Sequence, residues 1–138
     1  MTESRELTAE DILGANDLET ERVEMPEWNG HVFVRGLTGA ERDAFEQSMI
    51  ERKTRGRKTS TELKLDNIRA SLVARSTVDA SGRRLFSDAQ VEALGAKSAA
   101  ALDRLYEVAS RLSGLGSKDV EELLEDFTDD PSPDSTTN

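Results

Sequence analysis

Thr20-Glu-Arg-Val-Glu-Met25, Pro26-Glu-Trp-Asn-Gly30 and His31-Val-Phe-Val-Arg-Gly36 follow one another as two strand-like segments around a turn. Asn29-Gly30 is a strong hairpin signal, because a type I′ turn needs positive φ at both central residues. With those two residues at the turn, Trp28 faces His31, Glu27 faces Val32, Pro26 faces Phe33, Met25 faces Val34, Glu24 faces Arg35 and Val23 faces Gly36. Side chains alternate along a strand, so Val23, Met25, Val32 and Val34 share an aliphatic face that belongs to the core. Trp28, His31, Pro26 and Phe33 share the other face, beside a Glu24/Arg35 cross-strand pair. A lone hairpin is marginal in water and needs a cover. Leu37 leads into Thr38-Gly-Ala-Glu41, a capping box that predicts a helix from about Gly39 to the low fifties. Its core side holds Ala40, Ala44, Phe45 and Met49.

The chain has 138 residues, enough for one domain with a modest core. It has no cysteine, which excludes disulfides and thiolate metal sites and fits a reducing compartment. No apolar run approaches the ~20 residues of a membrane span, and the N-terminus has no signal-peptide character. A net charge of −10 argues against a general nucleic-acid binder.

Upstream of the hairpin, Thr8-Ala-Glu-Asp11-Ile-Leu13 predicts a short capped helix ended by Gly14 and Asn16, with Leu7, Ile12 and Leu13 docking on the body. Downstream, Arg52-Lys-Thr-Arg-Gly-Arg-Lys58 reads as a basic loop centred on Gly56. Thr59-Ser-Thr-Glu62 is a second capping box, opening a helix whose stripe is Leu65, Ile68, Leu72 and Val73. Val78 to Phe86 reads as a tiny hairpin or extended turn around Ser81-Gly82. Ser87-Asp-Ala-Gln90 is a third capping box, with Phe86 and Val91 placed as a hydrophobic staple, and its helix ends at Gly95. A longer helix follows from about Ser98, burying Leu102, Leu105, Ala109 and Leu112, and Gly114 and Gly116 stop it. Ser117 caps a last helix with Val120, Leu123, Leu124 and Phe127 on its apolar side. The Asp, Pro, Ser and Thr beyond it cannot form a core.

The expected fold is therefore mainly α with a small N-terminal β-hairpin, five to six short helices and a disordered acidic C-terminal tail. The expected divisions are an arm with a short helix over 1–19, a hairpin-plus-helical domain over 20–127, and the tail over 128–138.

Catalytic chemistry has little to work with. His31 is the only histidine, with no nucleophile near it in sequence, so a structural or surface role is the plainer reading. Asp79-Ala-Ser-Gly82 lacks the alternating acidic ligands of a calcium loop, and no phosphate-binding glycine motif is present. No catalytic residue, metal site or cofactor is expected. Two features suit binding. One is the basic stretch Arg52, Lys53, Arg55, Arg57 and Lys58, whose plain reading is a solvated loop and whose functional reading is contact with an acidic partner. The other is the Trp28/Phe33 face with neighbouring Val34 and Leu37, either covered by a helix or offered to a partner.

In order and spacing, these segments resemble the tail assembly chaperones of long-tailed bacteriophages. The resemblance rests on Thr8–Leu13, on Val32-Phe-Val-Arg-Gly-Leu-Thr-Gly-Ala-Glu-Arg-Asp-Ala-Phe45, on Leu72-Val-Ala-Arg75, on Asp79–Phe86 and on Ser113–Leu123. It implies a non-enzymatic protein that binds the tape-measure protein, keeps it soluble and helps recruit tail-tube subunits through a longer frameshifted form. It further implies self-association, location in the host bacterial cytoplasm, and absence from the mature virion. A virion connector or other structural protein is one alternative. A small regulatory protein using its basic loop is another.

Overall fold

The computed structural model describes residues 4–63 and 65–115. The expected Ser117 helix and the acidic tail lie outside the described residues. In chain order the elements are α1 (Ala9–Leu13), β1 (Thr20–Met25), a 3-10 turn (Pro26–Trp28), β2 (Gly30–Arg35), α2 (Gly39–Ser48), β3 (Ile50–Arg55) and β4 (Lys58–Leu63). Then come α3 (Ile68–Ser76), β5 (Thr77–Val78), a second 3-10 turn (Asp88–Gln90), α4 (Val91–Gly95) and α5 (Ala99–Leu112). Strands β1, β2 and β5 form an antiparallel sheet in that order, and β3 and β4 form a separate pair. The mainly helical fold with a small N-terminal sheet is as the sequence predicts.

The hairpin register differs from the expected one. Val23 stands opposite Val32, Glu24 opposite His31 and Met25 opposite Gly30. Pro26 to Trp28 wind into a 3-10 turn, and Asn29 alone takes the left-handed conformation, with φ 56° and ψ 41°. The connection is thus longer than a two-residue type I′ turn. It moves each pairing by an even number of positions, so the face assignment survives. Val23, Met25 and Val34 are buried and Val32 packs against the core. Trp28 and Pro26 leave the second face, and the Glu24/Arg35 pair is not formed. Glu24 instead accepts from its strand neighbour Arg22 at 2.9 Å.

The second correction concerns residues 50–63. Helix α2 stops at Ser48, and the expected basic loop is the end of a hairpin turning at Gly56, whose φ is +61°. Thr59-Ser-Thr-Glu62 lies within β4 rather than at a helix start. A β-branched run suits a strand, and here that preference overrides the capping pattern. Helix α3 begins later, after Asn67, which sits at φ 57° without a side-chain cap.

Helix α3 is the centre of the domain. Its Ala70, Leu72, Val73, Ala74 and Ser76 are buried, and it packs against α5, α4, α2 and β2. The Ser76 hydroxyl is satisfied within the helix, donating to the Leu72 carbonyl at 2.9 Å. Helix α5 buries Ala101, Leu102, Leu105 and Ala109 against α3 and the sheet. Helix α2 contributes Phe45 and, at its end, Met49, whereas Ala40 and Ala44 are exposed. Leu65, expected on the stripe of α3, is exposed and lies before that helix.

The capping logic is visible at three helix starts. Thr8 and Asp11, and Thr38 and Glu41, form reciprocal boxes, while the Ser98 hydroxyl accepts from the Ala101 amide. Helix α5 ends in a Schellman motif: the Leu115 amide donates to the Ser110 carbonyl at 2.7 Å and the Gly114 amide to that of Arg111 at 3.3 Å. Gly114 supplies the required φ of +72°, and buried Leu115 completes the motif.

The turn after β2 touches the end of α5. A Cβ at Gly36 would stand 2.5 Å from the Leu112 carbonyl oxygen. Gly36→Ala is therefore expected to lower stability by about 1–3 kcal/mol, an overpacking cost. Gly39→Ala, at an open helical position, is expected to be neutral or stabilising. Urea unfolding of the two variants checks both signs.

Candidate functional site

The apolar surface centres on Trp28. The 3-10 turn that carries it is tied to α5 by a two-pronged ion pair, in which Arg104 donates to Glu27 at 2.7 and 2.8 Å. The same guanidinium approaches Met25 Sδ at 3.5 Å. Glu27 is held below the ordinary carboxylate range, first by the Arg104 hydrogen bonds. Trp28 packs partly against the core and shares a surface recess of about 290 Å³ with Phe86, Gln90, Ala93, Leu94 and Lys97.

The opposite wall is set by the segment before α4. The Ser87 amide donates to the Gln90 side chain at 2.9 Å, and the Gln90 amide to the Ser87 carbonyl at 3.0 Å. Arg84 donates to the Ala74 carbonyl at 3.2 Å and to Asp88 at 3.0 Å. Beside these bonds, Phe86 and Val91 each pack against the core. The recess is at the lower limit of small-molecule pockets and suits a few aliphatic side chains better than a cofactor.

Phe33 lies elsewhere. It makes an edge-on contact with His31, with ring centroids 5.4 Å apart, and lines a second recess with Leu18, Arg35 and the Asp79–Gly82 turn. Asp79 accepts from the Ser81 hydroxyl and from the Ser81 and Arg83 amides, which lowers its pKa and closes the turn. Arg35 donates to both oxygens of Glu41 at 3.0 and 2.9 Å. Burial pushes the Glu41 carboxyl up, but the Thr38 amide and the Arg35 charge outweigh it and leave it lowered.

The sequence-expected binding residues therefore do not form one patch. Trp28 and Phe33 line separate recesses, while Val34 is fully buried and Leu37 nearly so. Both are core residues, as the aliphatic face of the hairpin implies for Val34, and neither is open to a partner as a binding residue would be. Arg52, Lys53 and Arg55 lie in β3, Arg57 at the turn and Lys58 at the start of β4, with Arg57 and Lys58 exposed. Ala93 and Leu94 were not read from the sequence as site residues. The staple position of Phe86, next to a helix start, is the signal that points to that wall.

The arm also departs from expectation. Leu7, Ile12 and Leu13 are 55%, 58% and 86% exposed and do not dock on the body. Helix α1 is held by its own capping box and by Arg5, which donates to Asp11 at 3.0 Å. That bond is the main reason the Asp11 carboxyl falls to about 2. Among the described residues, no cluster of His, Asp or Glu is arranged to hold a metal ion, and no helix is long and apolar enough to cross a membrane.

Residues 13–126 match the family described as phage tail assembly chaperone. The match covers most of the chain, and the protein belongs to this family of phage assembly proteins. Comparison with curated proteins and with solved structures gave no match.

The lowered carboxyls of Asp11, Glu27, Glu41, Asp79 and Asp88 fix the sign of the acid response. Their contribution is complete above the unfolded values of about 4 and is lost as pH falls through the lower folded values. The urea midpoint is expected to be lower at pH 3 than at pH 6, and Glu41→Gln should narrow the difference. Far-UV circular dichroism during urea titration at the two pH values checks this.

Proposed function

We propose that this tail assembly chaperone binds the tape-measure protein in the host cytoplasm, keeps it soluble before tail assembly, and does not remain in the virion. The observation that supports this reading is the Trp28 recess, an apolar hollow flanked by a long cation and fixed by ion pairs and capping bonds. A tape measure is a long helical protein with amphipathic faces. Its aliphatic side chains are the size the recess accepts, in the manner of a helix seated in a groove. The role is non-enzymatic.

Trp28 is the central contact of this proposal, with Phe86, Ala93 and Leu94 around it. Phe33, on its separate recess, is a secondary contact. Several copies along one client gain avidity without new contacts, so self-association belongs to the proposal. The edge strand β1, with no strand on its outer side among the described residues, is a surface suited to it. Recruitment of tail-tube subunits is assigned to a longer frameshifted product.

Co-expression with the tape-measure protein tests the reading. The double variant Trp28→Ala, Phe86→Ala is expected to retain its helical circular dichroism while soluble client falls to the level without chaperone. Phe33→Ala is expected to cause a smaller loss. Undiminished client solubility with the double variant would refute the recess as the client surface.

A further inference from the structure

The arm displays apolar side chains that its own domain does not use. Of the five large hydrophobic residues exposed among the described residues, Leu7, Ile12 and Leu13 fall within seven consecutive positions. Helix α1 buries none of its residues, and a five-residue helix is marginal alone. Its Thr8–Asp11 capping box nevertheless gives it a defined start, and Leu7 at N′ and Ile12 at N4 occupy the staple positions. The arm is thus a preformed apolar knob that lacks a seat.

The Trp28 recess is a seat of matching chemistry. It is an apolar hollow sized for a few aliphatic side chains, no carboxylate lines it, and Lys97 stands on its wall. Residues 4–19 carry five carboxylates against one cation, so the charge of the arm complements that of the recess.

The arm of the same chain cannot fill this recess. The Gly36 amide donates to the Glu19 carbonyl at 2.9 Å, and Asn16 and Leu18 line the Phe33 recess beside Thr20, at the start of β1. The Trp28 turn follows the other end of that six-residue strand, about 20 Å away. Leu13 is three residues from Asn16, a reach of about 10 Å. The occupant must come from another molecule.

We propose that the arm of one copy seats Ile12 and Leu13 in the Trp28 recess of a second copy, with Leu7 beside them. The contact joins two different surfaces, so it can repeat from copy to copy, unlike a symmetric pairing of β1 edges. It is small, which makes it transient. Only one consequence rests on the function proposed above: a client segment displaces the arm. Association of the free chain does not depend on that reading.

Sedimentation of the free full chain between about 5 and 500 µM tests it, with Trp28 emission recorded alongside. The weight-average mass is expected to rise at least 1.5-fold over this range, with a blue shift of the emission. The arm variant Ile12→Asp, Leu13→Asp and the recess variant Ala93→Glu, Lys97→Glu alter exposed side chains and should keep the helical circular dichroism. Each alone is expected to stay monomeric throughout. Mixed in equal amounts they should form a two-chain complex, because one supplies an intact recess and the other an intact arm. A wild-type chain that stays monomeric would overturn the proposal. So would variants that associate like the wild type, which would assign the contact to another surface such as the β1 edge. Monomeric variants that fail to combine on mixing would overturn it as well.

Discussion

Helix α5 lies where it does because residue 36 has no side chain. A Cβ there would press into the Leu112 carbonyl, and neighbouring Leu37 already donates its amide to the Ser113 hydroxyl. This close approach brings the end of α5 against the turn between β2 and α2. It lets Leu102, Leu105 and Ala109 bury against α3 and the sheet. Two ion pairs then align α5 along the hairpin, Arg104 with Glu27 and Arg111 with Glu21. Exposed pairs of this kind are worth about 0–1 kcal/mol each. Burying a side chain such as Leu105 is worth about 1.5–3 kcal/mol. Packing therefore holds the helix, and the ion pairs select its alignment.

That alignment builds the candidate client surface. Trp28 sits in a turn whose Glu27 is clamped by α5, while Phe86 arrives from the segment leading into α4. Neither residue forms the recess alone. Among the described residues, exposed apolar surface is scattered over the Trp28 recess, the Phe33 recess, the arm residues Leu7, Ile12 and Leu13, and the single residues Leu65 and Leu85. For a member of a tail assembly chaperone family, separated small apolar surfaces fit transient contacts during assembly better than one permanent interface.

Local chemistry in the sequence was legible where one short-range signal acted alone. Thr8, Thr38 and Ser98 cap the helices they announce, and Gly114 ends α5. The valines of the first hairpin are inside because a register change of even size leaves every side chain on its face. The register itself was hidden, since Asn29 serves equally well as the left-handed end of a 3-10 turn. Thr59 to Glu62 satisfies both a capping pattern and a strand composition, and only the pairing with residues 51–54 separates them. The Trp28–Phe86 contact surface was hidden for another reason: its walls are nearly sixty residues apart, brought together by tertiary packing that no local pattern encodes.

Trp28 is the chain's single tryptophan, so its emission reports directly on the recess. The decisive measurement is its fluorescence during titration with a tryptophan-free amphipathic segment of the tape-measure protein, with binding followed independently by sedimentation. A saturable blue shift that tracks complex formation is the predicted result. A complex that forms while the Trp28 spectrum stays unchanged would contradict the recess as the seat of the client.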